Sequence, residues 1–174
     1  MKERLTLRRP REDEEEEFLR AHRATSPEVP SFLHFYEEGM PFRRYLEVLA
    51  DRARGVNLRP HDVPSTFLFA FMGPRIVGRV AIRHALNASL EHRGGHIGYV
   101  VVPEFRRQGY ATDILRQALQ IARTQLGLHR VLLTCDADNI ASIKTIEKNG
   151  GELENTISGD GAEKAWRRYW IEVR

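Results

Sequence analysis

The stretch that most constrains the fold is Val100-Val101-Val102-Pro103-Glu104-Phe105-Arg106-Arg107-Gln108-Gly109-Tyr110-Ala111-Thr112. An apolar strand stops at a proline, passes through a short basic turn, and opens a helix whose first residues include Gly109 and small Ala111. A helix start leaves its first backbone N–H groups without carbonyl partners and carries the positive end of the peptide dipoles, so it seats an anion. Gly109 removes the Cβ that would hold a diphosphate off the backbone, Ala111 keeps the next approach nearly as close, and Arg106 and Arg107 strengthen the field. The spacing Arg-x-x-Gly-x-Ala over residues 106–111 reads as a diphosphate turn.

The elements around the turn follow from periodicity. Downstream, Ala111, Ile114, Leu115, Ala118, Ala122 and Leu126 form one helical stripe ended by Gly127, and Val131 to Cys135 is a strand apolar on both faces. Strand, helix and strand with a short return imply a parallel pair at the centre of a sheet. Asp138 or Asn139 caps a further helix through Ile143 and Ile146 to Gly150-Gly151, and a hairpin closes the chain, Glu152 to Ser158 and Ala165 to Val173. Upstream, Leu5-Thr6-Leu7 is a short strand. The acidic run Glu12 to Glu17 then opens a helix ending near Arg20, His22 and Arg23, the charge order the helix dipole favours, and reads as a solvated face. Phe32, Leu33, Phe35 and Tyr36 precede a second helix from about Pro41 to Gly55. Thr66–Met72 is a buried strand, Arg75–Ile82 its antiparallel neighbour, Ala85–Leu90 a helical turn, and His96–Val102 the strand feeding the diphosphate turn.

At 174 residues the chain fits a single domain, residues 1–174. It has no apolar segment long enough to span a membrane, and Met1 to Arg4 open no signal or transit segment, so the expected compartment is cytoplasmic with no membrane partner. One cysteine, Cys135, excludes an internal disulfide framework. A net charge of +3 with arginines spread along the chain argues against a nucleic-acid partner.

The turn, the Gly98-Tyr99 pair on its strand, Thr112 after it, and Asp138-Asn139-Ile140-Ala141-Ser142 leading to Ile146-Glu147-Lys148-Asn149-Gly150-Gly151 resemble, in order and spacing, the GNAT acyltransferase superfamily. The likeness is close from about Ile76 to Gly151, and nearest the branch with ribosomal-protein N-terminal acetyltransferases. It implies an α/β (α+β) fold, a mixed, mainly antiparallel sheet with a splayed parallel pair flanked by helices. It implies acetyl-CoA as cofactor, with the backbone of Val100, Val101 and Val102 pairing with pantetheine. Arg106, Arg107, Gln108, Gly109, Tyr110, Ala111 and Thr112 would hold the diphosphate, and Asn139 and Ser142 would lie along the arm. Asn139 is equally an ordinary N-cap, and the two roles are compatible. The region between the first two helices would wall the acceptor cleft, which makes Phe32, Phe35 and Tyr36 candidates there as well as in the core.

Acetyl transfer to the amine of a small molecule or peptide needs a neutral amine, and an ordinary ammonium has a pKa of about 10.4, so its proton must be removed. His96, three residues before Tyr99, is the candidate base; Glu104 is the second, with His84 and Glu91 further off. The superfamily's tyrosine before Glu-Lys is absent, since Ile146 stands there, and Tyr169 is the substitute acid. Cys135 in its apolar strand reads as an inert thiol. His84, His92 and His96 have no recognised metal spacing, so no metal is expected. A non-catalytic acyl-CoA-binding module is the alternative. Arg75, Arg79 and Arg83 alternate on one strand, either to attract an acidic acceptor or as a solvated face, and Trp166, Tyr169 and Trp170 offer a surface for a homodimer.

Overall fold

The computed structural model describes residues 4–161 and 163–173; Met1 to Glu3, read above for a leader, lie outside them. Its elements run β1 (Thr6–Arg8), α1 (Glu15–Thr25), α2 (Phe42–Arg54), β2 (Ser65–Met72), β3 (Arg75–Arg83), α3 (Ala88–His92), β4 (Ile97–Val101), α4 (Tyr110–Thr124), β5 (Arg130–Asp136), α5 (Ile140–Lys148), β6 (Glu152–Ile157) and β7 (Trp166–Glu172). The expected mixed α/β class is what forms. The strands make two sheets, β1-β2-β3-β4 and β5-β7-β6, and every ladder is antiparallel.

The expected splayed pair is β4 and β5. Among the described residues no parallel ladder joins β4 to β5. The two meet at an antiparallel bridge, Gly95 with Leu133, just before β4, where the His96 N–H donates to the Leu132 carbonyl at 2.7 Å. Beyond that vertex they separate.

Each sheet face is covered by a different helix pair. On one face α4 presents Ile114, Leu115, Ala118 and Ala122 to Val77, Val80, Ile97 and Val131. A Cβ on Gly78 would stand 2.9 Å from Ile114 Cδ1 and 2.6 Å from the Val100 carbonyl oxygen, so glycine lets helix and neighbouring strand close over β3. On the other face α1 and α2 bury Phe18, Tyr45 and Leu49 against Phe67, Phe69 and Phe71 of β2. Helix α2 stops at Gly55, φ 72°, whose N–H caps the last turn.

The acidic run is only partly a solvated face. Residues Glu12–Glu14 form a 3-10 turn before α1. Glu14 accepts two bonds from Arg8, at 2.8 and 2.7 Å, which hold its carboxyl down at about 2. Glu17 accepts the Ile76 N–H at 2.7 Å and ties α1 to β3. Two of the acids thus position the first helix. Among the described residues no helix is long and apolar enough to cross a membrane.

Candidate active site

The strand-to-helix turn has the conformation an anion needs. Arg107 (φ 62°) and Gly109 (φ 87°) are left-handed, and Gly109 is the N-cap of α4. The first N–H groups that find a carbonyl belong to Thr112 and Asp113, both to Gly109. Among the described residues nothing accepts from the N–H groups of Arg107, Gln108, Gly109, Tyr110 or Ala111. A Cβ on Gly109 would meet nothing within 4 Å, so the space above it is open. The two arginines separate: Arg106 turns back to Glu28 at 2.6 Å and to the Val101 carbonyl at 3.2 Å, while Arg107 forms no ion pair among the described residues. Gln108 bonds the Glu104 carbonyl at 3.3 Å.

Register decides which backbone groups of the separated strands are open. The Val102 N–H goes to Val77 and the Arg83 N–H to His96, so Gly98 and Val100, two and four residues along, also turn their N–H and C=O toward β3. Tyr99 and Val101 turn theirs toward β5; the Val101 carbonyl already accepts from Arg106 Nε, so its N–H and both Tyr99 groups are the open ones among the described residues. Likewise the Val173 N–H goes to His129 and the Ala137 N–H to Ala165, which leaves Thr134 facing β4. The expectation that Val100, Val101 and Val102 all offer backbone groups to a cofactor therefore narrows. Val100 and Val102 are committed to β3, and Tyr99, which the motif reading passes over, joins Val101. Alternation along a strand finds it once the register is known.

Asn139 caps α5, its Oδ1 accepting the Ser142 N–H at 3.1 Å. The Ser142 carbonyl lies 3.5 Å from the Tyr99 hydroxyl, which donates to it. Burial pushes the Tyr99 phenol up to about 12, so it keeps its proton. Ser142 and Tyr99 thus come together at the start of α5, beside the open edge of β4.

The nominated catalytic groups are otherwise engaged. His96 is buried, and its Nδ1 accepts the Leu132 N–H at 2.9 Å; the neutral ring then carries its proton on Nε2 and has no free lone pair with which to act as a base. Burial lowers its pKa further. It is a clasp between the two sheets. Glu104 is exposed on the outer side of its 3-10 turn, paired with Arg20 and with Arg75 at 3.4 Å. Tyr169 is wholly buried, its hydroxyl 3.3 Å from Arg167 and 3.4 Å from Glu147. Ile146 is core, which accounts for isoleucine there without a role in proton transfer. Cys135 is half-buried and its thiol is pushed up to about 11 by burial, as an inert thiol would be. The aromatics considered for a dimer face are used within the chain: Trp166 is buried with its indole N–H on the His92 carbonyl, and Arg130 covers Trp170 at 4.2 Å.

On the α1/α2 face lies a cavity of about 320 Å³, lined by His34, Phe35, Arg52, Asp62, Phe67 and Arg83 among others. Phe35 (φ 69°) stacks its ring 3.7 Å from the Arg52 guanidinium carbon. The alternating arginines of β3 are not one solvated face, since Arg75 is exposed, Arg79 buried and Arg83 intermediate. His34, which no sequence motif marks, has its pKa lowered to about 4, first by burial and then by Arg79, Arg83 and Arg52. An ordinary histidine titrates at about 6.5 in the unfolded chain, so the folded state binds this proton less readily, and the stability it lends above pH 6.5 is lost as pH falls through 4. For a ring this exposed, solvent screening leaves about 1–2 kcal/mol. A His34→Gln chain should show a melting temperature that falls a few degrees less between pH 7 and pH 4, at about 2–4 °C per kcal/mol.

A strand that parts from its neighbour above a helix N-terminus, with α1 and α2 across the opposite face, is the arrangement that the sequence resemblance implies. A family model described as an acetyltransferase (GNAT) domain matches residues 4–152, and the chain belongs to that family. Among curated proteins it is similar to the uncharacterized N-acetyltransferases YnaD and YoaA of Bacillus subtilis (strain 168). The first is 33% identical over 79 residues, 44% of this chain and 46% of that protein. The second is 30% identical over 82 residues, 47% and 45%. The chain thus matches about half the length of these relatives. Similar solved structures include a ribosomal L7/L12 alpha-N-protein acetyltransferase, RimL, in complex with coenzyme A, at TM-score 0.70 and 17% identity over 97% of this chain and 94% of that one. The microcin C7 self immunity acetyltransferase MccE in complex with acetyl-CoA and AMP is similar at TM-score 0.69 and 16% identity, over 97% and 92%. At these identities the likeness is one of fold.

Proposed function

We propose that the chain transfers the acetyl group of acetyl-CoA directly to the primary amine of a small molecule or a protein N-terminus. The observation that carries this is the run of N–H groups from Arg107 to Ala111, without acceptors among the described residues, at the end of a strand whose Tyr99 and Val101 backbone groups face away from their own sheet. A diphosphate fits the first, and an extended chain of amides fits the second as an added strand would. Bound there, acetyl-CoA supplies the activated thioester. Gly109 permits the close approach, Arg107 adds charge, and Asn139 holds the first turn of α5 beside the arm. The N–H of Tyr99 or Val101 is a donor for the carbonyl oxygen as negative charge grows on it. Family membership and the coenzyme A in the RimL structure support the same cofactor.

No dedicated base is required of His96 in this reading; the amine loses its proton to water. Tyr99 and its proton are the nearest match to the missing acid, and we assign it the protonation of the departing thiolate. Tyr99→Phe should lower kcat by about 10- to 100-fold, at the weaker end of general acid catalysis, while the acetyl-CoA dissociation constant stays within twofold. An unchanged kcat would remove Tyr99 from the mechanism.

The function itself is tested by thiol release from acetyl-CoA with a panel of primary amines, followed by mass detection of the N-acetylated product. A specific observation keeps one rival in view: His96, Glu104 and Tyr169 all have structural partners, as they would in a non-catalytic acyl-CoA-binding module. Tight binding without release for any amine would favour that module.

A further inference from the structure

The cavity beneath α2 holds more positive charge than the chain itself neutralises. Arg79 is 5% exposed, donates one bond of 3.1 Å to the Ser31 carbonyl, and has a buried Nε without a partner among the described residues. Arg52 is 6% exposed; it pairs with Asp62 at 2.8 Å and its Nε is also buried and unpartnered among the described residues. Arg83 gives its Nη1 hydrogens to the carbonyls of Gly94 and Gly95, at 3.4 and 3.0 Å, and makes no ion pair among the described residues. Among the described residues Asp62 is the single carboxylate lining the cavity and it pairs with Arg52, so Arg83 in the lining and Arg79 behind it have no counter-charge there. A buried cation without a partner is costly, and two side by side more so. An arrangement of that kind suits a site completed by an anion.

The position is also informative. Arg79 and Ala81 of β3 stand opposite Val100 and Gly98 of β4, on the face that α1 and α2 cover, and Ala81 lines the cavity. A Cβ on Gly98 would meet nothing within 4 Å, which leaves the sheet bare between the cavity and the opened strand edge. Phe35, Phe67 and His34 give the cavity flat apolar walls. A molecule seated with one end among the arginines reaches over Gly98 toward the edge of β4.

We infer that the acceptor is a small amine bearing an anionic group, carboxylate or phosphate, held by Arg83 and Arg52 while its amine extends over Gly98. This rests on the acetyltransferase reading above and gives its substrate class. Arg79, behind Phe67 at 5.6 Å from the ring, contributes field rather than contact. The same positive field disfavours an ammonium, so it holds the anionic end and eases release of the proton from the amine.

The test uses the full chain in saturating coenzyme A, which occupies the diphosphate turn. Thermal unfolding is followed during titration with inorganic phosphate and, separately, with acetate. At least one should raise the melting temperature saturably in the wild type and do so far less in Arg83→Gln. Turnover is then compared within two amine pairs, β-alanine against β-alaninamide and O-phosphoethanolamine against ethanolamine. The anionic member of one pair should have a kcat/KM at least tenfold higher, carried mainly by KM, and which pair responds identifies carboxylate or phosphate. One charge-assisted contact is worth about that factor or more. Arg83→Gln should collapse the ratio toward unity. Should that variant unfold for want of its bonds to Gly94 and Gly95, Arg83→Lys is read instead, with a smaller fall in the same ratio. Equal rates within both pairs, or a ratio that survives in the variants, overturns the inference. Failure to bind coenzyme A at all would instead overturn the acetyltransferase reading beneath it.

Discussion

A Gly109→Trp chain should fold and yet bind acetyl-CoA about a thousandfold more weakly. Residue 109 is at φ 87°, where an L side chain is strained by about 1–2 kcal/mol, a tolerable loss for a domain of this size. The Cβ of the new side chain meets nothing within 4 Å. That space is where the diphosphate must sit to meet the N–H groups of Arg107 to Ala111. Losing two charge-assisted hydrogen bonds at about 2 kcal/mol each gives roughly 4 kcal/mol, or three decades in affinity. Calorimetric titration of both chains measures it, with circular dichroism as the control for folding. An affinity within threefold of wild type would mean that the diphosphate lies elsewhere.

The second large effect is on stability. Gly95→Ala should destabilise the fold by about 3 kcal/mol or more and lower the melting temperature by about 10 °C. Gly95 has φ 65°, and its Cβ would stand 2.3 Å from the Leu132 carbonyl oxygen, a backbone atom that cannot move aside cheaply. That carbonyl accepts from His96, whose ring accepts from the Leu132 N–H, so one methyl group disturbs the clasp joining the two sheets. Gly98→Ala is the control: the added methyl meets nothing within 4 Å, and stability should change by less than about 0.5 kcal/mol. Equal melting temperatures for Gly95→Ala and Gly98→Ala would show that the vertex carries little of the stability.

The elements that local chemistry governs are legible in the amino-acid sequence. Proline, glycine and helical spacing place the turn, α2, α4 and α5 within a few residues, because caps and breakers act on their own neighbourhood. Pairing across distance is less legible. Whether β4 and β5 form a ladder depends on the Gly95 vertex and on what each strand's other edge bonds, neither of which a periodicity reports. Tyr99 and Val100 look alike in the sequence as cofactor-strand residues, and register alone separates them. His96 reads as a base because an imidazole on that strand has a suitable ordinary pKa; its partner, the Leu132 N–H, lies 36 residues away. His34, Arg52 and Arg79 gather in one place from three separate segments, so no motif announces them. The acidic run illustrates the same limit: its place on a helix follows from charge order, but that Glu17 caps the Ile76 N–H follows only from packing.

The central claim, that the opened edge of β4 and the turn after it receive acetyl-CoA, is tested most directly by amide hydrogen exchange and backbone amide chemical shifts during titration with acetyl-CoA. Tyr99, Val101 and the amides from Arg107 to Ala111 should gain protection and shift, whereas Val100 and Val102, already bonded to β3, should stay protected throughout. Saturable shifts confined to other regions, or protection of Tyr99 and Val101 that does not change on binding, would contradict it.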